Sequence, residues 1–323
     1  MERVVLGKSG LSVSPVAFGT WQLSKRFWKE QSSEEAIKAM KLAFDKGVNF
    51  YDSSDAYGDG HAEKVLGDAV QQLPRDEIII ATKVFNHYNP DGSRYPDLSS
   101  DHIVERCEAS LKRLRIEAID LYLLHFFDQL TPLADVAATM KKLQDQGKVK
   151  TIGLSNHTVA QLRAQRAFAD YTVVQPAYSF VDPSIEKDLL PYCQAENLGV
   201  MIYSPLHMGL LTGKYKGDEE FDDFRKHHPD FRGERFKKTC QGVQSLKPLA
   251  EKYDLTLYQL VLAATLMHPA IQVAICGIKT PDQIEEAVLA MGRTVDRPDY
   301  FAVRKALLGA QATKVIDASG TRK

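Results

Sequence analysis

The stretch VNFYDSSDAYGDG, residues 48–60, joins a short apolar run to a dense polar cluster. The apolar half is typical of a strand that is buried on both faces, as strands of parallel sheets are. The polar half begins with two carboxylates, two hydroxyls and a phenol, on Asp52, Ser53, Ser54, Asp55 and Tyr57. A turn after a strand does not need such a set. We therefore interpret this stretch as a strand end that carries chemistry.

The same strand type recurs along the whole chain. We count eight short apolar runs, VAFG, VNFYD, EIIIATK, IDLYLLH, KTIGLSN, YTVVQ, GVMIYSP and QVAICG, separated by amphipathic helical segments. Strands that alternate with helices indicate parallel β/α units. Eight units in 323 residues predict a single domain, residues 1–323, with a (β/α)₈ TIM barrel fold. The opening ERVVLGKSGLSVSP predicts a hairpin that closes the barrel bottom, and a helix is expected at the C-terminus.

Composition argues against several classes of function. The formal net charge of -1 gives no overall field that would attract nucleic acid or an acidic membrane. The four cysteines form no CxxC pair and the nine histidines no HExxH motif, so we predict neither a metal site nor a disulfide. This cysteine use, and an N-terminus without signal-peptide character, favour the cytoplasm. We expect a small-molecule substrate, and no protein partner is indicated.

Polar groups follow nearly every predicted strand. The carboxyl ends of barrel strands build the active site in this fold, and here they carry Asp52, Lys83, His125, Ser155, Asn156, Gln175, Tyr203 and Ser204. Several have an ordinary alternative: Asp52 as a helix or turn cap, Lys83 as a solvated strand end, His125 as a satisfied buried histidine, and Ser155–Asn156 as a helix cap. Their joint arrival at one end of one barrel favours a functional site.

Four of these side chains suggest a proton-delivery device. A lysine at a buried barrel mouth needs a counter-charge, which Asp52 on the adjacent strand can supply to Lys83. Tyr57 follows in the next loop, and its unperturbed pKa of about 10 makes it a poor acid at neutral pH. We expect the Lys83 ammonium to lower that pKa and His125 to bond the same oxygen or a substrate carbonyl.

The last two strand-to-helix loops suggest a dinucleotide site. They read YSPLHMGLLTGK and CGIKTPDQIEEA, and each combines glycine with a lysine, Lys214 and Lys279. Barrel phosphate sites usually lie in these two loops, and a helix N-terminus favours an anion. A plain helix cap is the alternative for the second loop. The charged segment 212–238 that follows is expected to be a lid or a linker-like excursion.

The chain as a whole resembles the aldo-keto reductases, in the branch with potassium-channel β-subunits and bacterial sugar-aldehyde reductases. The matching stretches include AFGTW, GVNFYDSSDAYGDGHAEKVLG, IIIATKV, GKVKTIGLSN, VVQPAYS and GIKTPDQIEEA. The resemblance implies an NADP(H)-dependent carbonyl reductase, with Tyr57 as proton donor, Lys83 and Asp52 setting its pKa, and His125 orienting the carbonyl. It also implies cofactor contacts from Gly19, Thr20, Trp21, Asp52, Ser155, Asn156, Gln175, Tyr203, Ser204, Pro205, Leu206, Gly209, Lys214, Gly277, Lys279, Gln283 and Glu286.

Five aromatic residues are expected to line the substrate mouth: Trp21, Trp28, Tyr88, Phe126 and Phe127. Small polar or sugar-type aldehydes and ketones are the substrates that the resembling branch implies. The alternative is an NADP(H)-sensing regulatory subunit with little turnover, because channel β-subunits keep the same four catalytic residues.

Overall fold

The computed structural model describes residues 3–24, 28, 31–89 and 91–308. The strands in this part of the chain are β1 (Val4–Val5), β2 (Ser12–Val13), β3 (Val16–Gly19), β4 (Phe50–Asp52), β5 (Ile79–Val84), β6 (Asn86–Tyr88), β7 (Arg94–Pro96), β8 (Ile119–Leu124), β9 (Val149–Ser155), β10 (Val173–Gln175), β11 (Gly199–Tyr203) and β12 (Val273–Gly277). The single-domain assignment to residues 1–323 stays a prediction, since both termini lie outside the described residues.

The helices of the same part are α1 (Ser33–Asp45), α2 (His61–Val70), α3 (Ser100–Leu114), α4 (Leu133–Asp145), α5 (Val159–Arg166), α6 (Leu189–Ala195), α7 (Gly233–Gln244), α8 (Lys247–Lys252), α9 (Leu257–Leu266), α10 (Pro281–Leu289) and α11 (Arg297–Leu308). None of these helices combines the length and the apolar character that crossing a membrane requires.

Eight strands close into a parallel barrel in the order β3-β4-β5-β8-β9-β10-β11-β12, and β12 pairs with β3 to complete the ring. These eight are the eight apolar runs of the sequence, so the predicted TIM barrel is confirmed. One apolar cluster fills the barrel and a larger one lies between the strands and the helices. Both strand faces are therefore buried, which explains why the runs are continuously apolar.

The N-terminal hairpin closes the bottom of the barrel, as predicted. β1 and β2 pair antiparallel, and Leu6 between them is fully buried in the interior cluster. Gly7 has a left-handed φ of 54°, and a Cβ there would lie 2.2 Å from the backbone nitrogen of Gly199, the first residue of β11. Only glycine allows this close approach between the hairpin and the strand starts.

Two predicted segments differ from the structure. The stretch 242–269, which the sequence pattern predicts as one amphipathic helical segment, is divided among the end of α7, α8 and α9. The reason is a capping box, in which Thr256 and Gln259 start a new helix at Leu257. The segment 212–238 is not a linker throughout. Helix α7 begins within it at Gly233, and the aromatic rings of Phe231 and Phe236 are buried.

Candidate active site

The alternation of side-chain direction along each strand places polar residues at the mouth of the barrel. Side chains two apart on a strand share a face. Phe50, Ala81, Leu123, Val173 and Met201 all belong to the apolar cluster inside the barrel. The next inward positions along the same strands are held by Asp52, Lys83, His125, Gln175 and Tyr203. The apolar filling of the barrel thus ends, on each of these strands, in a polar or titratable group.

Lys83 is the centre of this polar layer. Its side chain is fully buried, and its ammonium donates to Asp52 Oδ1 at 2.8 Å and to the backbone oxygen of Ser53 at 2.7 Å. A third contact, at 3.4 Å, reaches the phenol oxygen of Tyr57. The predicted ion pair between Lys83 and Asp52 is therefore present, and neither residue is a solvated strand end or a turn cap.

Hydrogen bonds connect the layer across the barrel. Gln175 Nε2 donates to Asp52 Oδ2 at 2.8 Å, and Ser155 Oγ donates to the backbone oxygen of Gln175 at 2.8 Å. Asn156 Nδ2 donates to the backbone oxygen of His125, and its Oδ1 accepts from Tyr203 Oη at 2.7 Å. The helix-cap alternative for Ser155–Asn156 is wrong, because Thr158 caps α5 with its own capping box.

On its other edge, the strand that carries Asp52, β4, pairs with the end of β3. Gly19 lies opposite Asp52 in the strand register. Both the backbone nitrogen and the Oγ1 of Thr20 donate to the backbone oxygen of Asp52 at 3.0 Å. Asp52 is thus held from two sides: its backbone oxygen accepts from Thr20 after β3, and its carboxylate accepts from Lys83 and Gln175.

The expected lowering of the Tyr57 pKa is not found. Burial raises the pKa of Tyr57 well above its usual value, with a further contribution from the negative charges of Asp52 and Asp55. Burial also lowers the pKa of Lys83, although Asp52 opposes this shift. Desolvation of the charged form is the largest cause of the pKa shift at both residues. Tyr57 is therefore a protonated phenol at neutral pH.

His125 is held as a neutral imidazole. Its pKa is lowered well below the usual value, mainly by burial and secondly by the charge of Lys83. Its Nδ1 lies 3.3 Å from Ser54 Oγ, and its ring lies edge-on to Tyr57 with the centroids 6.1 Å apart. The phenol and the imidazole thus occupy neighbouring positions at the mouth.

Sequence reasoning assigned no role to Ser54 or Asp55, although both lie in the stretch that opened the analysis. Ser54 Oγ is within 3.3 Å of both His125 Nδ1 and Asp55 Oδ1. Asp55 is buried and pairs with Arg106 Nε at 2.8 Å, and burial raises the pKa of its carboxyl to about 6. Their placement among polar residues after β4 was the available signal, but their partners, His125 after β8 and Arg106 on α3, are remote in sequence.

The loop after β11 curves through left-handed backbone. Ser204, His207, Met208 and Gly209 have φ values of 58°, 45°, 56° and 91°. The Lys214 side chain lies against this loop, because a Cβ built on Gly209 would be 3.3 Å from Lys214 Nζ. Pro205 and Leu206 are buried beneath the loop. Successive residues of this conformation turn backbone N–H groups toward an anion, and a lysine beside them adds positive charge.

The loop after β12 contacts the segment that follows β3. The Gln31 side-chain amide donates to the backbone oxygen of Lys279, whose own nitrogen donates to Gln283 Oε1 at 2.7 Å. A Cβ on Gly277 would lie 1.6 Å from Gln22 Nε2. Glu286 accepts a 2.7 Å hydrogen bond from Thr256.

The five predicted pocket aromatics lie in separate groups. Trp21 and Trp28 pack edge-on, 5.3 Å apart, together with Phe224 of the long loop, and Lys279 Nζ lies 4.3 Å from the Trp28 ring centroid. Phe126 stacks on His125 at 4.8 Å and Phe127 meets His157 edge-on at 5.7 Å. Tyr88 lies on the β6–β7 hairpin. Phe126 is thus beside the polar layer, whereas Trp28 packs beside the loop after β12.

The residues around these two loops fit a dinucleotide. Three buried polar atoms have no hydrogen-bond partner among the described residues: Gln22 Oε1, Trp28 Nε1 and Gln31 Oε1. All three belong to the segment that contacts Gly277 and Lys279. Buried polar atoms are normally satisfied, so these atoms indicate that a polar group binds here. The loop after β11, with its left-handed residues and Lys214, offers backbone N–H groups and a positive charge to an anion.

The chain matches one family model and several known proteins over most of its length. The model of the Aldo/keto reductase family matches residues 15–307. "Aldo-keto reductase YhdN" of Bacillus subtilis is 33% identical over 93% of this chain and 91% of its own length. The "NADH-specific methylglyoxal reductase" of Escherichia coli is 29% identical over 94% and 98% of the two chains. The "Probable voltage-gated potassium channel subunit beta" of Arabidopsis thaliana is 33% identical over 90% and 91%.

Solved structures show the same fold. The glycerol dehydrogenase AKR11B4 of Gluconobacter oxydans superposes with a TM-score of 0.89, at 29% identity over 97% of both chains. An aldo/keto reductase of Klebsiella pneumoniae, solved with NADP and acetate, has a TM-score of 0.75 at 25% identity over 95% and 96%. The chain described here belongs to the aldo/keto reductase family of oxidoreductases.

Proposed function

We propose that this chain uses NADPH to reduce a small polar or sugar-type aldehyde or ketone to an alcohol, with Tyr57 as the proton donor. The observation that carries the proposal is the set of contacts made by Lys83, whose buried ammonium meets both the carboxylate of Asp52 and the phenol of Tyr57. A buried lysine with one contact left for a phenol oxygen is suited to stabilise the negative charge that forms there when the proton leaves.

The proton transfer follows from these contacts. Tyr57 gives its O–H proton to the carbonyl oxygen of the substrate, and Lys83 stabilises the phenolate that remains. Asp52 keeps Lys83 charged and fixed in place. His125, as a neutral imidazole, can donate one hydrogen bond to the same carbonyl oxygen without adding a second positive charge. NADPH, when bound, supplies the hydride that completes the reduction.

The proposed cofactor residues divide by loop. Ser155, Asn156, Gln175 and Tyr203 would hold the nicotinamide end, the β11 loop with Lys214 the pyrophosphate, and the β12 loop with Lys279 the adenosine end. The positive charge of Lys279 supports NADPH, because a 2′-phosphate needs a counter-charge. The Klebsiella structure contains NADP, while the Escherichia coli relative is named NADH-specific. Titration of the chain with NADPH and with NADH, followed by fluorescence, measures the preference directly.

The proposed substrate class is based on the residues at the barrel mouth and on the names of two similar proteins. Methylglyoxal and glycerol, which appear in the names of two similar proteins, are small and polar. Phe126 beside His125 offers one apolar wall, while Tyr57 and His125 offer the polar groups. A substrate screen with aldehydes and ketones, monitored by NADPH absorbance, tests this assignment.

Tyr57→Phe is the decisive variant. It removes the transferable proton but keeps the ring, so we expect kcat to fall by roughly 10²–10⁴-fold while the Kd for NADPH stays unchanged. Tyr192→Phe, on α6 and away from the mouth, is the matched control and should retain full turnover. Reduction at close to the wild-type rate by Tyr57→Phe would disprove the proposed role.

A regulatory NADP(H)-sensing subunit is the second candidate, and the similarity to a potassium-channel subunit β favours it. Both candidates bind the cofactor, so binding alone does not separate them. Stopped-flow mixing of the NADPH complex with an aldehyde panel does. Rapid oxidation of the cofactor supports the enzyme, whereas cofactor that stays reduced, together with a stable protein partner, supports the subunit.

We also propose a reducing compartment such as the cytoplasm. The four cysteines are free thiols and all are buried. Chains that work in oxidising compartments usually pair their cysteines in disulfides.

A further inference from the structure

The β6–β7 hairpin brings together three metal-ligating side chains that the proposed function does not use. His87 lies on β6, Asp97 directly follows β7, and His102 lies in the first turn of α3. One nitrogen of each histidine and one carboxylate oxygen of Asp97 all lie within 4.8 Å of one another. We propose that these residues bind one divalent transition-metal ion of the zinc class, beside the mouth of the barrel.

The spacing of the three donors fits a metal better than direct hydrogen bonds. Nδ1 of His87 lies 3.6 Å and Nδ1 of His102 lies 3.9 Å from Asp97 Oδ2. Both distances are too long for an N–H···O hydrogen bond. Ligands that bind zinc tetrahedrally at about 2.0–2.1 Å lie roughly 3.3–3.4 Å from one another. The distances from Asp97 Oδ2 to the two histidine nitrogens, 3.6 Å and 3.9 Å, are close to that spacing.

The tautomer of His102 leaves the required nitrogen free. Its Nε2 lies 3.1 Å from the backbone oxygen of Asn86. A carbonyl oxygen can only accept, so Nε2 carries the proton, and in the neutral ring Nδ1 keeps a lone pair directed at Asp97. A histidine ligand whose second nitrogen donates to a backbone carbonyl is the usual arrangement in metal sites.

The Nδ1 atom of His87 is an independent indication of a ligand. It is buried and has no hydrogen-bond partner among the described residues, although the ring as a whole is partly exposed. The ring is held in place by stacking on Tyr95, with centroids 4.8 Å apart and an interplanar angle of 17°. An unsatisfied buried nitrogen costs free energy unless something binds it, and here it faces a carboxylate oxygen.

Asp97 is also held in position. Its Oδ1 accepts from the backbone nitrogen of Ser99 at 2.8 Å, while its own backbone nitrogen donates to Phe85 at 2.8 Å. Oδ2 is left facing the two histidines. Two imidazoles and one carboxylate suit zinc, cobalt or nickel, and water would complete the coordination at this partly exposed site.

A second cluster of the same composition, His207, His228 and Asp230, differs because its histidine nitrogens are already hydrogen-bonded. His207 Nε2 bonds Asp230 Oδ2 at 2.8 Å, and the Arg235 guanidinium pairs with the same carboxylate. His228 Nδ1 already accepts from the backbone nitrogen of Asp230 at 3.2 Å. Because both histidine nitrogens near Asp230 already make hydrogen bonds and Arg235 pairs with the carboxylate charge, we propose no metal at that cluster.

The inference extends beyond the proposed function and is tested by metal binding, without turnover. Wild-type chain without a histidine tag is stripped with chelator and titrated with Co²⁺, and visible absorption reports coordination. Equilibrium dialysis with Zn²⁺ gives the stoichiometry. We expect one ion per chain and a rise in Tm with Zn²⁺, because an ion that binds only the folded state stabilises it.

Three variants make the test specific. His87→Ala and Asp97→Asn should weaken binding at least tenfold, since loss of an outer-shell partner alone costs 10–100-fold. His227→Ala removes an exposed histidine outside the site and should bind as the wild type does. Circular dichroism in chelator confirms that each variant is folded. A wild-type chain that binds no stoichiometric metal, or unchanged binding by both His87→Ala and Asp97→Asn, overturns the proposal.

Discussion

Burial decides the charge state of each titratable residue at the mouth of the barrel. Lys83 is fully buried, yet its ammonium is compensated by Asp52 and by the backbone oxygen of Ser53. The Tyr57 oxygen has the Lys83 contact at 3.4 Å, but burial and the charges of Asp52 and Asp55 disfavour its phenolate, so the pKa of Tyr57 is raised. The site is thus suited to hold a phenol in its protonated form and to donate that proton to a substrate.

This charge state predicts the pH dependence of reduction. A raised pKa keeps Tyr57 protonated, and a lowered pKa keeps His125 neutral, throughout the range from about pH 7 to 9. We therefore expect kcat for carbonyl reduction to be nearly constant over that range. Oxidation of the alcohol needs the phenolate as a base, so its rate should rise with pH. Initial rates in both directions, at saturating cofactor, measure the two profiles.

The contrary result has a clear meaning. A fall of the reduction rate with a midpoint between pH 7 and 9 would indicate that the ammonium of Lys83 lowers the Tyr57 pKa after all. Intrinsic fluorescence at each pH, which reports whether the chain stays folded, is the control.

At the scale of elements, side-chain caps decide where helices begin. Thr158 and Gln161 form a capping box at the start of α5, and Thr256 and Gln259 form one at the start of α9. Each box satisfies backbone N–H groups that the first helical turn leaves unpaired. The box at α9 also explains why the long amphipathic stretch 242–269 does not continue as one helix.

Thr158→Ala tests the contribution of a cap. Loss of the side-chain acceptor should lower the free energy of unfolding by about 1 kcal/mol, measured as a lower urea midpoint. Thr280 also precedes a helix but makes no side-chain cap hydrogen bond, so Thr280→Ala should change stability by less than about 0.5 kcal/mol. Equal losses in the two variants would contradict a specific contribution from the capping box.

At the scale of the whole molecule, the hairpin and the barrel form one packed interior. Leu6 is fully buried against the strand starts, while Val5, next to it on β1, is 60% exposed. The candidate active site lies at the other end of the same interior. The bottom of the barrel therefore contributes stability, and the top is left to the polar layer.

Leu6→Ala tests this arrangement. Removal of a fully buried leucine side chain should lower the free energy of unfolding by about 2–5 kcal/mol, because it leaves a cavity that the rigid strands cannot fill. Val5→Ala, the matched control, should cost less than about 0.5 kcal/mol. Urea unfolding measures both. A Leu6→Ala chain as stable as the control would show that the hairpin does not close the barrel.

The sequence by itself determined the barrel and most of the polar layer. Continuous apolar strands that alternate with helices are a pattern visible in the local sequence. Because side chains two apart on a strand face the same way, each interior apolar residue also identifies the inward-facing polar residue at the end of its strand. Asp52, Lys83, His125, Gln175 and Tyr203 could therefore be identified before their partners were known. The family resemblance added expected roles, which stay proposals.

Only the tertiary structure decided what depends on distance and burial between remote segments. It reversed the expected direction of the Tyr57 pKa, because desolvation depends on everything that packs around the phenol and not on one neighbour. It brought Ser54 to His125 and joined His87, Asp97 and His102 across a hairpin and a helix. No short ligand motif in the sequence predicts that cluster, because the hairpin and the start of α3, and not the spacing along the chain, bring its three donors together.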